Sequence, residues 1–185
     1  MALGLDEFYR FTDKGYAHNM LGVYEKLLIG TNITNMLEIG VLNGESIRMW
    51  SNIFPGARVH GVDTTDTYSL AAEMDNVTIY VADAYSESFL ERIGGEVFDF
   101  ILDDGSHELQ HQCFVAQRYG ALLSTNGLMV IEDVASIEEA HLIQRFIPDY
   151  LKEDSYIIDR RGAPCDYPYE RFEDRNEILV VIDRR

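Results

Sequence analysis

Within ten residues, Phe98-Asp99-Phe100-Ile101-Leu102-Asp103-Asp104-Gly105-Ser106-His107 passes from an apolar strand pattern to two adjacent acids, a glycine and a histidine. A second apolar run, Leu128-Met129-Val130-Ile131-Glu132-Asp133, stops on another acid pair. Asp104 and Glu132 lie 28 positions apart, enough chain for one helix and a return to the same sheet edge. If the two strands are parallel neighbours, their tips bring together a group of carboxylates and an imidazole. Open α/β sheets bind ligands at that carboxyl end. Carboxylates with positions left for substrate oxygens suit a hard divalent cation. An imidazole beside them can take a proton near neutral pH.

The upstream strands repeat the pattern. Asn35-Met36-Leu37-Glu38-Ile39-Gly40 reads as the first core strand. Gly40 and Gly44 follow four apart, and a helix then runs through Ile47, Arg48 and Trp50. A strand, a glycine turn and a helix amino terminus let a ligand approach the backbone closely. The turn is not the G-x-G-x-x-G dinucleotide fingerprint, because Glu38 stands where its first glycine would be. A carboxylate there repels a pyrophosphate and suits a cationic ligand. Ala57 to Asp63 is the second strand, and an acid at that tip commonly accepts hydrogen bonds from a ribose diol. Val77 to Ala82 is the third, followed by Asp83-Ala84. Solubility does not place acids at one end of successive strands, so a shared site is expected there.

The remaining segments complete an α/β pattern. Met20 to Ile29 has Leu21, Tyr24, Leu27 and Leu28 at helical spacing. Short helices are expected over Tyr68–Met74 and Ser88–Ile93, and a longer one over His107–Leu123. Thr125-Asn126-Gly127 reads as the turn into the fifth strand. Ser136 and Glu139 form a capping-box signature. Tyr156–Asp159 and Ile178–Ile182 close the pattern as a hairpin carrying an antiparallel edge strand. The expected fold is α/β: a Rossmann-like, doubly wound sheet of about seven strands, mainly parallel with an antiparallel edge strand. Residues 1–185 read as one domain, with 1–30 as an amino-terminal arm and helix and 31–185 as the core. The arm, with its Thr12-Asp13-Lys14-Gly15 turn, is either a lid over a ligand cleft or a packing flap. The loop Gly162 to Tyr169 has turn chemistry and two tyrosines, and is either substrate-facing or only a surface connection.

Net charge is −17, so the chain has no basic surplus for a nucleic-acid backbone. Cys113 and Cys165 form neither a metal-spaced pair nor a disulfide framework, which points to a reducing compartment. Asp6, Glu7 and Arg10 interrupt any leader-like run, and no run is long enough to span a bilayer. A cytoplasmic protein without membrane or nucleic-acid partners is expected, with self-association left open.

Together, Glu38-x-Gly40-x-x-x-Gly44, Asp63 and Asp83-Ala84 resemble class I S-adenosylmethionine-dependent methyltransferases. Asp103-Asp104-Gly105-Ser106-His107, Glu132-Asp133 and Thr12-Asp13-Lys14-Gly15 with His18 are similar, more narrowly, to the macrocin and mycinamicin type of macrolide-sugar O-methyltransferase and its cephalosporin hydroxylase-like relatives. The resemblance runs from about Thr12 to Ile182 and does not include the additional amino-terminal domain of the macrolide enzymes. It implies S-adenosylmethionine over Gly40 and Gly44, with Asp63 on the ribose and Asp83 and Ala84 near the adenine. Glu38 and Asp103 join the donor-binding set, although Asp103 can equally support the turn or compete with Asp104 for the metal. The resemblance selects Asp104, Glu132 and Asp133 as Mg²⁺ ligands and His107 as general base. It implies O-methylation of a hydroxyl on a sugar or glycosylated small molecule, with a catechol as an alternative acceptor. Lys14, His18 and Tyr167 are the candidate acceptor contacts.

Two other readings stand beside this one. His107-Glu108-Leu109-Gln110-His111 matches the H-E-x-x-H pattern of zinc metallopeptidases, whose histidines lie one helical turn apart. The same fold can also hold S-adenosylmethionine without catalysis, because fold does not establish activity.

Overall fold

The structure is a computed structural model that describes residues 12–16, 18–66, 74–163 and 177–185. Six α-helices lie in those residues: α1 (Asp13–Tyr16), α2 (Leu21–Leu28), α3 (Glu45–Ile53), α4 (Glu87–Ile93), α5 (Leu109–Arg118) and α6 (Ile137–Phe146). The strands are β1 (Asn35–Ile39), β2 (Arg58–Asp63), β3 (Val77–Val81), β4 (Phe98–Asp103), β5 (Leu123–Val134), β6 (Ser155–Asp159) and β7 (Ile178–Asp183). Single 3-10 segments cover Tyr119–Leu122 and Asp149–Asp154. The helix expected over Tyr68–Met74, apart from Met74 itself, lies outside the described residues, as do Cys165 and Tyr167.

All seven strands form one sheet in the order β3-β2-β1-β4-β5-β7-β6. The pairs from β3 through β5 are parallel, whereas β7 runs antiparallel to both β5 and β6. The sheet is therefore the expected mainly parallel one, with the antiparallel strand one place in from the edge. Ile178 to Ile182 are all buried, while β6 has only half-buried and exposed positions. An all-apolar run fits an interior position, and a partly exposed run fits an edge.

Side-chain alternation separates the two faces. Leu37, Ile39, Ile101, Met129, Ile131 and Val180 pack with the buried residues of α4, α5 and α6. Met36, Phe100, Leu102, Leu128, Val130 and Val181 pack on the other face with α2 and α3. Phe98 and Phe100, two apart, fall on opposite faces, which a regular strand forbids. The β4–β5 register shifts between them, where Phe98 faces Leu123 and Phe100 faces Leu128. Thr125-Asn126-Gly127, expected as a turn before the strand, is the part of β5 that absorbs this shift.

Strand order reverses between β1 and β4, since β1 continues in one direction through β2 and β4 in the other through β5. That point opens a crevice beyond the strand carboxyl ends. Local capping fixes the helices around it. Ser86 Oγ accepts from Phe89 N at 3.3 Å at the start of α4, and Ser136 Oγ from Glu139 N at 3.1 Å at the start of α6. The helix expected from His107 begins at Leu109 instead, with Glu108 at its cap and His107 outside it. His107 has φ of 57°, a left-handed conformation that a helix interior cannot hold.

Candidate active site

The glycine turn after β1 builds one wall of the crevice. Gly40 has φ of 88°, and a Cβ there would lie 2.1 Å from the Asp104 carbonyl oxygen. The turn therefore packs backbone to backbone against the tip of β4, which also donates Asp104 N to Ile39 O at 2.9 Å. Gly44, at φ of 84°, precedes α3. The Asp63 carboxylate locks this turn to β2. Its Oδ2 accepts from Val41 N at 2.9 Å and Leu42 N at 3.0 Å, and its Oδ1 accepts from Thr65 N at 2.9 Å. Burial pushes the Asp63 carboxyl up, but the backbone donors of Leu42, Thr65 and Val41 outweigh it and hold it below its ordinary value.

A cavity of about 430 Å³ opens here, a size suited to a nucleoside-sized ligand. Of the residues expected to hold a donor, Gly40, Asp63 and Ala84 line it, whereas Glu38, Gly44, Asp83 and Asp103 are not among its lining residues. Asp83 Oδ1 accepts from Tyr85 N at 2.9 Å, within its own turn. Glu38 is fully buried, and neither of its oxygens has a full hydrogen bond among the described residues. Burial pushes its carboxyl up to about 8, opposed by the nearby Lys14 charge.

Beyond the glycine turn the acids converge. Asp104, His107 and Asp133 each present a ligand atom, and these atoms lie within 4.8 Å of one another. His107 Nε2 is 3.3 Å from Asp104 Oδ1, and its Nδ1 is 3.7 Å from Asp133 Oδ2. His107 and Asp133 have φ of 57° and 54°. Two non-glycine residues held left-handed at one site cost roughly 1–3 kcal/mol each, a cost typically retained where geometry serves function. The hydrogen bond to Asp104 raises the His107 imidazole to about 9, against burial and with help from Asp133. Burial raises Asp133 to about 7. Asp104 goes the other way, to about 2, because Lys14 and His107 outweigh its burial.

Glu132 is placed differently from Asp104 and Asp133. Its Oε2 accepts from Lys14 Nζ at 2.8 Å, and its Oε1 accepts from the Tyr24 hydroxyl. Lys14 also reaches Asp104 Oδ2 and is 2% exposed. His18 lies apart from this group, with Nδ1 3.5 Å from Glu177 Oε1. Tyr24 was expected only as a core residue on its helix, and nothing in the local sequence signals its reach to Glu132.

Tyr85 is a second residue that sequence reasoning passed over. Its hydroxyl donates to Asp103 Oδ1 at 3.1 Å and accepts from Ser106 N at 3.0 Å. Its ring stacks on His111 at 4.1 Å between centroids, and Ser106 Oγ lies 2.7 Å from His111 Nδ1. Burial raises Asp103 to about 7, which the Tyr85 bond opposes. Tyr85→Phe leaves a buried carboxyl and a backbone N–H short of a partner, an expected loss of about 1–3 kcal/mol. Thermal melting should fall by several degrees; an unchanged melting temperature would show that the network adds nothing.

His111 is thus committed to Ser106 and Tyr85, and His107 to Asp104. The two imidazoles do not share one helical face, so the H-E-x-x-H match does not form a metallopeptidase pair.

No family model matches this chain. Among curated proteins it is 37% identical over 111 residues to mycinamicin VI 2''-O-methyltransferase of Micromonospora griseorubida, covering 54% of this chain and 27% of that protein. It is 32% identical over 93 residues to a tetracenomycin-C 3'-O-methyltransferase of Streptomyces olivaceus, covering 49% and 23%. The chain thus spans about a quarter of the length of these curated relatives. Among solved structures it is similar to MycE methyltransferase from the mycinamycin pathway in complex with Mg and SAH, with TM-score 0.71 and 23% identity, over 100% of this chain and 55% of that one. It is also similar to an O-methyltransferase from Bacillus cereus in complex with SAH, with TM-score 0.65 and 15% identity, over 97% and 90%. The fold is the Rossmann-like fold of S-adenosylmethionine-dependent methyltransferases.

Proposed function

We propose that this chain is an S-adenosylmethionine- and Mg²⁺-dependent O-methyltransferase acting on a hydroxyl of a sugar or glycosylated small molecule. The observation that carries this is the convergence of Asp104, His107 and Asp133 directly beside the glycine-turn cavity. Curated relatives named for O-methylation of sugar-bearing natural products support the acceptor class.

The residues present fit both groups. The bare backbone at Gly40 and a cavity of about 430 Å³ give a donor room. The acid cluster, with Asp104 held ionised, favours a ligand carrying positive charge, as S-adenosylmethionine does on its sulfonium and ammonium. Asp104 and Asp133 offer hard oxygen donors, which is Mg²⁺ chemistry rather than that of a thiolate site. S-adenosylmethionine would supply the methyl as an electrophilic carbon, and Mg²⁺ would orient an acceptor hydroxyl and make it more acidic.

The chain's own groups do the rest. Gly40, Val41 and Leu42 present backbone to the donor, held in place by Asp63. His107 sits at the mouth of the cavity, where it can take the acceptor's proton as the oxygen takes the methyl. The hydrogen bond to Asp104, with help from the Asp133 charge, pushes that imidazole up to about 9. A cation held by those acids would offset their charge and favour the neutral imidazole that base chemistry needs. Asp104 also aims the ring, through Nε2.

The test is a calorimetric titration of S-adenosylmethionine into metal-stripped protein, repeated with Mg²⁺, then a screen of sugars, glycosides and catechols for methyl acceptance. Donor binding followed by Mg²⁺-dependent methylation of a glycoside is the expected result. No donor binding under either condition would sink the proposal. Binding without turnover on any acceptor would favour a donor-binding module.

A further inference from the structure

Lys14 is the largest charged side chain buried in the described structure, at 2% exposure, and it comes from the amino-terminal segment rather than from the sheet. Its ammonium bridges Asp104 Oδ2 at the tip of β4 and Glu132 Oε2 at the tip of β5. Burial opposes its charge, but Asp104, Glu132 and Glu38 together hold it protonated far above its ordinary range. A buried ammonium needs partners of this kind to be tolerated. The bridge uses oxygens that a metal would need. Glu132 has one oxygen on Lys14 and the other on the Tyr24 hydroxyl. Asp104 divides its oxygens between Lys14 and His107.

We infer that Lys14 and a divalent ion are alternative counter-cations of Asp104 and Glu132, so that metal loading drives Lys14 out and moves the segment that carries it. This rests on the proposed metal site, with Glu132 taken as a further ligand beside Asp104 and Asp133. The physical ground is exclusion: an ammonium and a divalent ion cannot occupy the same carboxylate oxygens, and two cations at neighbouring positions repel strongly where water is excluded. Once Asp104 and Glu132 are taken over, Lys14 has lost both carboxylates it is paired with, and Glu38, whose carboxyl burial pushes up to about 8, is a weak replacement, so Lys14 moves toward water. The backbone must follow. Lys14 O accepts from Met20 N at 2.7 Å, Thr12 O from Gly15 N at 3.1 Å, and Gly15 O from Asn19 N at 3.2 Å, which ties residues 12–16 to residues 19 and 20. Arg160 Nη1 donates to His18 O at 3.0 Å and fastens the same segment to the far end of β6. The segment is thereby a metal-responsive strap whose resting latch is Lys14.

Hydrogen exchange of residues 12–20 should be measured on metal-stripped protein with and without saturating Mg²⁺, alongside calorimetric Mg²⁺ titration of wild type and Lys14→Met. Mg²⁺ is expected to speed exchange across 12–20 in the wild type by about tenfold or more, and Lys14→Met is expected to bind Mg²⁺ at least about tenfold more tightly because nothing has to be displaced. Mg²⁺ binding that leaves exchange at 12–20 unchanged or slower overturns the inference and leaves the metal site standing. Unaltered or weaker Mg²⁺ binding by a folded Lys14→Met overturns it equally. If the variant fails to fold, the wild-type exchange result decides alone. Absence of Mg²⁺ binding in every form removes the metal site and the latch together.

Discussion

Gly40→Ala is expected to lose S-adenosylmethionine binding by about a hundredfold or more and to melt well below wild type. The added Cβ would meet the Asp104 carbonyl oxygen at 2.1 Å and Gly105 Cα at 2.7 Å. Both are backbone atoms, so no side-chain rotation relieves the clash. The φ of 88° adds its own penalty for any residue with a Cβ. Forcing β1 and β4 apart strains their ladder, in which Ile39 faces Asp103, and displaces Asp104, whose N donates to Ile39 O. Strain of this kind costs about 2–3 kcal/mol, or roughly 5–10 °C in melting temperature for a chain of this size. Gly56→Ala is the control, because a Cβ there meets nothing within 4 Å. Calorimetry and thermal melting on both variants check the contrast. A Gly40→Ala protein that melts and binds like Gly56→Ala would mean the turn does not press on β4 as described.

His107→Asn is expected to leave donor and Mg²⁺ binding within a fewfold of wild type while turnover falls by about 10²–10⁴-fold, the usual contribution of a positioned general base. Asparagine suits the position because it tolerates left-handed backbone better than most residues. A turnover loss then reports the imidazole and not a refolded loop. Two outcomes would count against the assignment, and they differ. Unchanged turnover removes His107 from proton transfer. A large loss of Mg²⁺ affinity instead makes it a metal ligand, a role that its place between Asp104 and Asp133 also permits.

Lys14 and Tyr85 belong to the same chemistry at one remove. Lys14 neutralises the acids from one side, and Tyr85 holds Asp103 and the Ser106 backbone from the other. The Asp103–His107 turn is thus braced on both flanks, and Asp104 and His107 line the cavity.

What the sequence determined by itself was the sheet and the location of its chemistry. Apolar runs of strand length each stopping on an acid dictate strands with a charged carboxyl end, and one-helix spacing between them dictates parallel neighbours. The glycine turn after β1, the Asp63 tip and the acid pairs of β4 and β5 are local patterns, so they could be read in place. Tertiary structure alone decided which partner each acid takes. Lys14 meets Asp104 across 90 residues and Glu132 across 118, and Tyr24 meets Glu132 across 108. No periodicity encodes such contacts, because they exist only once α1 and α2 have packed over the strand tips. The left-handed turn at His107 and the insertion of β7 between β5 and β6 have the same origin. Each is a choice among locally acceptable conformations, settled by what the folded neighbours leave room for.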